Sequence, residues 1–380
     1  MTWEAWLEVV EEVAPRVLGP ADRRGDALAA EVRRLSELYT RERHALDAAA
    51  AAHAARLRFF FLRDLPKIEG PLAELEGALP EGPRWRVLDV GAGLGASCLG
   101  VAAFAKRRGV ERVEVIALER DPAALDALEA LARAAHRRGL VPELVIDARR
   151  ADVDGLELGT LPKADLVVAG FVLNELFRDR DEVDRLDAAE GLLRALVGRL
   201  APGGSAIVLE PALRTEARAL QALRDRLAAQ VYAPCLRAGE CPLTRRERDW
   251  CHAALPLELP PALAALALRA GLRASRLTYA YLTLRADGRR LAGYEDPRAV
   301  RVVGGPVESK GKAEWDACGA AGLVRLRRLD RERGPDNAAL DGALRGTLLR
   351  LASAPEDGAS VRARAGVPIE RIGPVARPGT

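Results

Sequence analysis

The chain has little of several residue types. Its 380 residues include one methionine, four histidines, five cysteines, five lysines and two asparagines. Such scarcity of lysine beside abundant arginine is typical of GC-rich coding, so a basic stretch alone is weak evidence for a polyanion partner. The charge is nevertheless uneven: from residue 260 onward 21 basic residues stand against 13 acidic ones, which gives that region +8 and leaves −5 for the first 259. The basic C-terminal third is a candidate for contact with phosphate.

No hydrophobic run is long enough to span a bilayer. The longest apolar stretch, residues 259–272, is too short and too interrupted by Arg269 to span a bilayer, so no membrane role is indicated. The start, "MTWEAWLEVVEEV", is acidic and amphipathic and resembles neither a secretory signal nor a transit peptide. We therefore expect a cytoplasmic protein, in which clustered cysteines bind metal rather than form disulfides.

The pattern along the chain predicts an α/β protein of more than one domain, without internal repeats. Residues 1–75 have the apolar spacing of a helical region. Within 76–285, short β-rich runs alternate with Ala/Leu-rich helices, which predicts a parallel Rossmann-like sheet covered on both faces. Residues 231–259 form a cysteine-rich insertion in that domain, and 286–380 predict a small, basic, β-rich C-terminal module.

A glycine loop follows the first predicted strand. In "VLDVGAGLGA", Asp89 precedes Gly91, Gly93 and Gly95, and a helix follows. Glycines at such a turn let the backbone approach a ligand, to which the helix N-terminus presents free N–H groups. The same residues also match the G-x-G-x-x-A fingerprint of dinucleotide-binding proteins, so a nicotinamide or flavin enzyme is an alternative.

Acidic residues at the ends of the next strands favour S-adenosylmethionine (SAM) over those cofactors. Asp89 before the loop gives D-x-G-x-G-x-G, which resembles motif I of the class I methyltransferases, where the acid helps to bind the cationic methionine end. Glu119 ends the second strand, where a carboxylate would accept both ribose hydroxyls. Asp152 is the candidate on the adenine side, with Asp147 as its rival. The motifs in order predict the class I methyltransferase fold.

Catalytic residues are harder to place. Methylation of exocyclic base amines in this fold uses an Asn/Asp-Pro-Pro-aromatic motif after strand four, where this chain has "GFVLNEL". Methylation at C5 of a base needs a cysteine, and Cys235 lies beyond strand five instead. Asn174 and Glu175 are candidates for positioning a polar acceptor, with a structural role at a helix start as the alternative.

Three of the five cysteines lie within seventeen positions. Cys235, Cys241 and Cys251 have C-x5-C-x9-C spacing, which is irregular for a zinc ribbon built from C-x2-C pairs. A fourth ligand must come from elsewhere, and Cys318 is a better candidate than His252, because neighbours in an extended chain point opposite ways. Four thiolates suit either a tetrahedral zinc ion or an iron-sulfur cubane.

Several segments together resemble a known family. They are "VLDVGAGLGA", "DLVVAGFVLNEL", "VLEPAL", "APCLRAGECPL", "DWCH" and "KGKAEWDACGAAG", and they resemble the methyltransferase-like assembly factors of the mitochondrial small ribosomal subunit and their bacterial relatives. The resemblance implies a 4Fe-4S cluster on Cys235, Cys241, Cys251 and Cys318, and binding of small-subunit ribosomal RNA during maturation. The segment "RFFFLRDLPKIEGPL" departs from the family's pattern before motif I.

The resulting prediction is a SAM-binding, methyltransferase-like protein that acts on or binds small-subunit ribosomal RNA and carries a 4Fe-4S cluster. We expect a monomer with no DNA or membrane partner. Whether methyl transfer occurs is left open. The alternatives are a non-catalytic RNA-binding assembly factor and a small-molecule methyltransferase with a structural zinc.

Overall fold

The structure is a computed structural model that describes residues 3–40, 52–154, 158–273, 275–291 and 293–373. Seven helices of at least nine residues lie within these ranges: α1 Trp3–Leu18, α2 Gly25–Thr40, α3 Ala96–Arg107, α4 Pro122–Arg137, α5 Glu182–Val197, α6 Arg214–Arg226 and α7 Pro261–Arg269. Short helical pieces follow one another from 53 to 74, namely His53–Ala55, Arg56–Phe60, Phe61–Asp64, Leu65–Ile68 and Glu69–Glu74. We call these five pieces the helical run.

The first sheet contains eight strands. They are β1 Arg84–Val90, β2 Arg112–Glu119, β3 Glu143–Arg150, β4 Ala164–Gly170, β5 Leu200–Glu210, β6 Val231–Ala233, β7 Ala253–Pro256 and β8 Arg276–Leu284. Their order is β3-β2-β1-β4-β5-β8-β6, and β7 also pairs with β8. Strands β1 to β5 are parallel, whereas β8 is antiparallel to β5. The sequence predicted this parallel Rossmann-like sheet, whereas the antiparallel direction of β8 was not predicted.

Two short strands missed by the sequence pattern hold the cysteine-rich segment. Strand β6 ends two residues before Cys235, β7 begins two residues after Cys251, and both pair with β8. At three and four residues they are too short for a clear alternation of apolar and polar positions. Their pairing fixes both ends of the segment to the edge of the first sheet.

The second sheet contains six strands: β9 Ala299–Ser309, β10 Lys312–Gly319, β11 Leu323–Leu329, β12 Leu348–Arg350, β13 Ser360–Arg362 and β14 Glu370–Arg371. Their order is β13-β11-β10-β9-β12-β14. A separate core of this sheet is built around Val300, Trp315 and Leu326, each at most 3% exposed. The predicted β-rich module is therefore present, while the boundaries at 75/76 and 285/286 stay predictions.

The helical region packs on the outside of the first sheet. Helix α1 lies against α4, and Arg138, just past α4, donates to Glu8 and Glu12. Gly100 in α3 lets the helical run approach closely, because a Cβ there would lie 2.6 Å from the carbonyl oxygen of Leu65. Within the described ranges, no helix is long and apolar enough to cross a membrane.

Candidate functional site

A roomy cavity lies at the carboxyl ends of the parallel strands. Its volume is about 500 Å³, within the range of small-molecule sites. Strand order reverses between β1 and β4, and ligands of open α/β sheets bind at such a switch point. One wall contains predicted cofactor residues, and the opposite wall comes from α2 and the helical run. We call this space the cofactor cavity.

The glycine loop lies at the floor of this cavity. The backbone N–H groups of Gly91 and Ala92 both donate to the carbonyl of Leu118, at 2.9 Å each. Gly91, Gly93 and Gly95 have φ values of 70°, 53° and 82°, in the left-handed region that favours glycine. The loop thus turns tightly between β1 and β2 before α3 begins. Gly91 and Gly93 line the cavity, and Gly95 caps α3 below it.

Glu119 lies at the end of β2 with its carboxylate against the loop. One carboxylate oxygen accepts from the N–H of Gly93 and the other from that of Asp121, both at 2.9 Å. The side chain lines the cavity. A carboxylate held by two backbone donors keeps a fixed direction and still has lone pairs for ligand hydroxyls.

Asp89 lies beneath the loop rather than in the cavity wall. It is 1% exposed, and its Oδ2 accepts from the N–H of Cys98 at 3.2 Å while its Oδ1 has no partner. Burial raises the pKa of Asp89 to about 7, and the nearby charge of Glu119 adds to the rise. Asp89 therefore titrates near neutral pH and has one free acceptor atom below the glycine loop.

The two candidates for the adenine side occupy different places. Asp152 lines the cavity, and its carboxylate accepts from the N–H of Asp154 at 3.1 Å. Asp147 lies on β3, bound by the Arg149 guanidinium, which lowers its pKa. It is not among the described residues that line the cavity. The structure brings only Asp152 together with Glu119.

The loop after β4 is strained where it meets the cavity. Phe171 lines the cavity with a φ of 60°, uncommon for a bulky residue. The backbone N–H groups of Leu173 and Asn174 donate to the buried Glu210 at 2.9 and 3.1 Å. With its amide assigned from the hydrogen-bond network, Asn174 donates to the Phe171 carbonyl and to Glu210. Asn174 lines the cavity, but its side-chain amide forms hydrogen bonds within this loop and to Glu210.

Glu175 lines the same cavity and is the better placed of the two catalytic candidates. Burial raises its pKa, and the cationic groups of Arg178, Arg56 and Arg120 oppose that rise. A carboxyl group with a raised pKa in a cavity is a candidate proton acceptor or donor. None of the described residues lining this cavity is a cysteine or a histidine.

The opposite wall was missed by sequence reasoning. Tyr39, Arg56, Arg63 and Lys67 line the cavity from α2 and the helical run. Lys67 binds Asp64 at 2.6 Å and places its ammonium 4.3 Å from the centre of the Phe171 ring. Burial lowers the pKa of Lys67. Residues 58–72, which depart from the family pattern, thus form part of the cavity wall. In the sequence, only their charged and aromatic residues could have indicated a place in this wall.

A second, smaller cavity of about 60 Å³ lies between the two sheets. The four predicted cysteines line it: Cys235 and Cys241 from the insertion, Cys251 before β7, and Cys318 on β10. We call it the cysteine cavity. Cys98, the fifth cysteine, is fully buried under the glycine loop and is not among its described lining residues.

Hydrogen-bond donors surround the cysteine sulfurs. From α6, Gln221 donates to the sulfur of Cys241 at 3.1 Å and Arg224 to that of Cys235 at 3.2 Å. Burial raises the pKa of Cys318 to about 12 when no metal is bound, with further contributions from neighbouring thiolates. The described lining contains no aspartate or glutamate. The donors from α6 favour thiolates that bind a metal, whereas burial by itself opposes their negative charge.

The arrangement does not form a site for a single ion. Within the described residues, no group of three or more His, Cys, Asp and Glu side chains could hold a metal ion. His252 also lines the cavity, where burial lowers its pKa to about 4 and its Nδ1 has no hydrogen-bond partner among the described residues. That Cys318 is a better ligand than His252 stays a prediction. The four thiols share one cavity.

Comparison with solved structures shows distant likeness to several proteins. One, from Listeria monocytogenes, is described as a class I SAM-dependent methyltransferase. It is 11% identical in sequence, the alignment covers 78% of this chain and 94% of that chain, and the TM-score is 0.38. A precorrin 8W decarboxylase from Methanobacterium thermoautotrophicum has 21% identity, 58% and 87% coverage and a TM-score of 0.33. A SAM-dependent methyltransferase from Geobacter sulfurreducens, in complex with S-adenosyl-L-homocysteine, has 16% identity, 58% and 90% coverage and a TM-score of 0.32. These likenesses are too distant to support a function.

Comparison with curated proteins gives no match. A family model does match: the one described as mitochondrial small ribosomal subunit Rsm22 covers residues 29–340, from within α2 through β11 of the second sheet. That range includes the described lining of the cofactor cavity and all four cysteines of the cysteine cavity. The chain therefore belongs to the Rsm22 family.

Proposed function

We propose that this chain is a SAM-binding, methyltransferase-like protein that acts on or binds small-subunit ribosomal RNA and carries a 4Fe-4S cluster on its four clustered cysteines. The observation that carries the proposal is the presence of two distinct cavities, one behind a glycine loop and one lined by four thiols, in a member of a small-ribosomal-subunit family.

The cofactor cavity has the groups that SAM requires. Glu119 would accept the ribose hydroxyls, Asp152 would face the adenine side, and the loop from Gly91 would lie against the cofactor. Bound SAM supplies an electrophilic methyl group. The wall from the helical run places Lys67 over the Phe171 ring beside the cavity, where a methyl acceptor would lie.

The donors around the cysteine cavity favour an anionic cluster as its occupant. Four thiols line the cavity, which is the number that either a zinc ion or a cubane cluster requires. A cluster bears negative charge and accepts hydrogen bonds at its sulfurs, which fits the donors Arg224 and Gln221. Such a cluster would cross-link the two sheets and could transfer electrons.

A non-catalytic role in assembly is the second candidate, and the lining of the cofactor cavity favours it. The described lining offers no cysteine nucleophile or histidine base, and the amide of Asn174 is engaged in its own loop. Methyl transfer would then rest on Glu175 and a nucleophilic acceptor. RNA binding is also less simple than the net charge indicates, because Arg325, Arg350 and Arg362 form ion pairs with acidic residues.

The first experiment is anaerobic purification followed by visible absorption and iron, sulfide and zinc analysis. The variants are wild type, Cys318→Ser and the matched control Cys98→Ser, which alters a cysteine away from the cavity. Iron and sulfide in equal amounts in wild type and Cys98→Ser, lost in Cys318→Ser, would support the cluster. Stoichiometric zinc without colour would contradict it and support a structural zinc.

A second experiment separates enzyme from assembly factor. Small-subunit ribosomal RNA from cells with the protein, without it, and with Glu175→Gln would be analysed by mass spectrometry for methylated nucleotides. A methyl group that disappears in the deletion and in Glu175→Gln supports catalysis. Retention of every methyl group together with defective subunit assembly in the deletion supports the non-catalytic role.

A further inference from the structure

Arg301 lies where three parts of the molecule meet. It is on β9 of the second sheet and is 5% exposed. Its guanidinium donates to Glu74 of the helical run at 2.7 Å, to the carbonyl of Pro234 beside Cys235 at 2.7 Å, and to that of Gly346 at 2.8 Å. One buried side chain thus contacts the second sheet, the cysteine segment and the helical region.

One amino group of Arg301 remains without an acceptor. The Nη2 atom is buried and has no hydrogen-bond partner among the described residues, although the side chain lines the cysteine cavity. Arg301 is also paired directly with Cys318 across β9 and β10, and opposite residues of an antiparallel pair place their side chains on the same face. Buried donors are nearly always satisfied in folded proteins, so this atom indicates an acceptor in the cavity.

The other cations of the cavity support an anionic occupant. Arg237 also lines it and also has a buried nitrogen, Nε, without a partner. Arg224 already donates to the sulfur of Cys235. Arg301 and Arg224 are paired with Glu74 and Asp225 behind the lining, so what the cavity has in excess is hydrogen-bond donors, namely Arg301 Nη2 and Arg237 Nε.

We infer that Arg301 donates its free Nη2 N–H to the anionic metal–thiolate group held by the four cysteines, and so links that group to Glu74 of the helical run. The inference rests on the proposed cluster. Arg301 would be a positioning residue, because it acts on the group without being a ligand. A donated hydrogen bond stabilises the more negative, reduced state of a cluster and hence raises its reduction potential. The link would also connect loading of the cysteine cavity to the helical run, which walls the cofactor cavity.

The test compares wild type with Arg301→Lys and with the control Arg285→Lys. Arg285 is another buried arginine, 1% exposed, which donates to Ser205 and to the carbonyl of Ala78 and is not among the described residues of the cysteine cavity. The readouts are iron and sulfide content, the rate of iron release to a chelator, and the midpoint potential from a redox titration followed by electron paramagnetic resonance. Arg301→Lys should lower the midpoint and speed iron release by about tenfold, while Arg285→Lys leaves both at wild-type values.

A second variant keeps the test decisive if Arg301→Lys does not fold. Glu74→Gln retains the guanidinium but removes the negative charge that draws it from the cavity, so it should raise the midpoint. Wild-type protein without iron and sulfide would overturn the proposed cluster itself. Two results would overturn this inference alone if wild type has a normal cluster. One is an unchanged midpoint potential and iron-release rate in Arg301→Lys, and the other is a midpoint potential that does not rise in Glu74→Gln.

Discussion

The cofactor cavity and the cysteine cavity differ in how the chain builds them. The first has its floor in one continuous βαβ unit, around Gly91 and Glu119, and charges of both signs line its walls. The second draws its thiols from positions up to 83 residues apart, Cys235 and Cys318, and its charged side chains are all arginines among the residues described. A large cavity lined by charges of both signs suits a polar organic ligand, whereas a small cavity lined by arginines suits a bound anion.

The difference predicts that the two cavities can be damaged separately, and a substitution in the glycine loop should have the largest effect. In Gly91→Ala, the new Cβ would lie 2.5 Å from a methyl group of Val172, at a φ of 70°. We expect a loss of about 2–4 kcal/mol in unfolding free energy and loss of SAM binding, measured by urea denaturation and calorimetry. Gly93→Ala is the control, because its nearest neighbour is 3.8 Å away, and it should cost only about 1 kcal/mol. Equal costs would refute the steric explanation.

Glu119→Gln tests the carboxylate in the cofactor cavity. The substitution removes the carboxylate that we propose accepts the ribose hydroxyls, and it weakens the bonds from Gly93 and Asp121. SAM affinity should fall by about tenfold to a hundredfold, or roughly 1.5–3 kcal/mol, in isothermal calorimetry. Asp147→Asn, on the exposed rival acid, should leave affinity unchanged. If Asp147→Asn weakened binding as much, the assignment of the cavity would be wrong.

Gln221→Leu acts on the cysteine cavity alone. Gln221 donates to the sulfur of Cys241 and accepts from the N–H of Cys251, so its loss leaves that N–H without a partner. Unfolding free energy should fall by about 1–2 kcal/mol and metal release should be faster, measured by denaturation and chelator kinetics. SAM affinity should stay within about twofold, because Gln221 is not among the described residues that line the cofactor cavity. A tenfold change in affinity would correspond to about 1.4 kcal/mol. A tenfold loss would show that the cavities are coupled through α6.

The pH dependence of SAM binding tests the role of Asp89. With a pKa of about 7, this carboxyl is protonated below neutrality, and a cationic ligand group favours its ionised form. SAM affinity of wild type should therefore decrease as pH falls from 8 to 6, by up to about tenfold per pH unit below 7, while Asp89→Asn shows no such slope. A flat wild-type profile would mean that Asp89 acts only on the start of α3, through the N–H of Cys98.

The stability of the cofactor-free protein should depend on pH in the opposite direction, because burial favours the protonated form of Asp89. The pKa of Asp89 is higher in the folded chain than its ordinary value of 3.8, so the folded state binds the proton more tightly. Its stabilising contribution is therefore complete below about pH 4 and is lost as pH rises through about 7. Asp89→Asn should remove this decline in denaturation measured between pH 4 and 8.

Sequence reasoning found the parts whose signal is local. The alternation of strands and helices predicted the first sheet, and the glycine loop with Glu119 predicted the cavity floor, because a βαβ unit is encoded within a short span. The cysteines were recognised as a set from their spacing and the family resemblance. The wall from Arg63 and Lys67 was missed, because nothing in a helical pattern shows which residue 100 positions away it will face.

The sequence by itself therefore determined the fold class, the glycine loop and the four thiols as candidates, since each depends on residue types at fixed spacing. Tertiary structure alone decided that β6 and β7 pin the cysteine segment to β8, that Cys318 lies opposite Arg301, and that Asp89 is buried under its loop rather than in the cavity wall. These facts come from pairing between distant strands and from burial. Both depend on how the whole chain packs, and no local pattern records them.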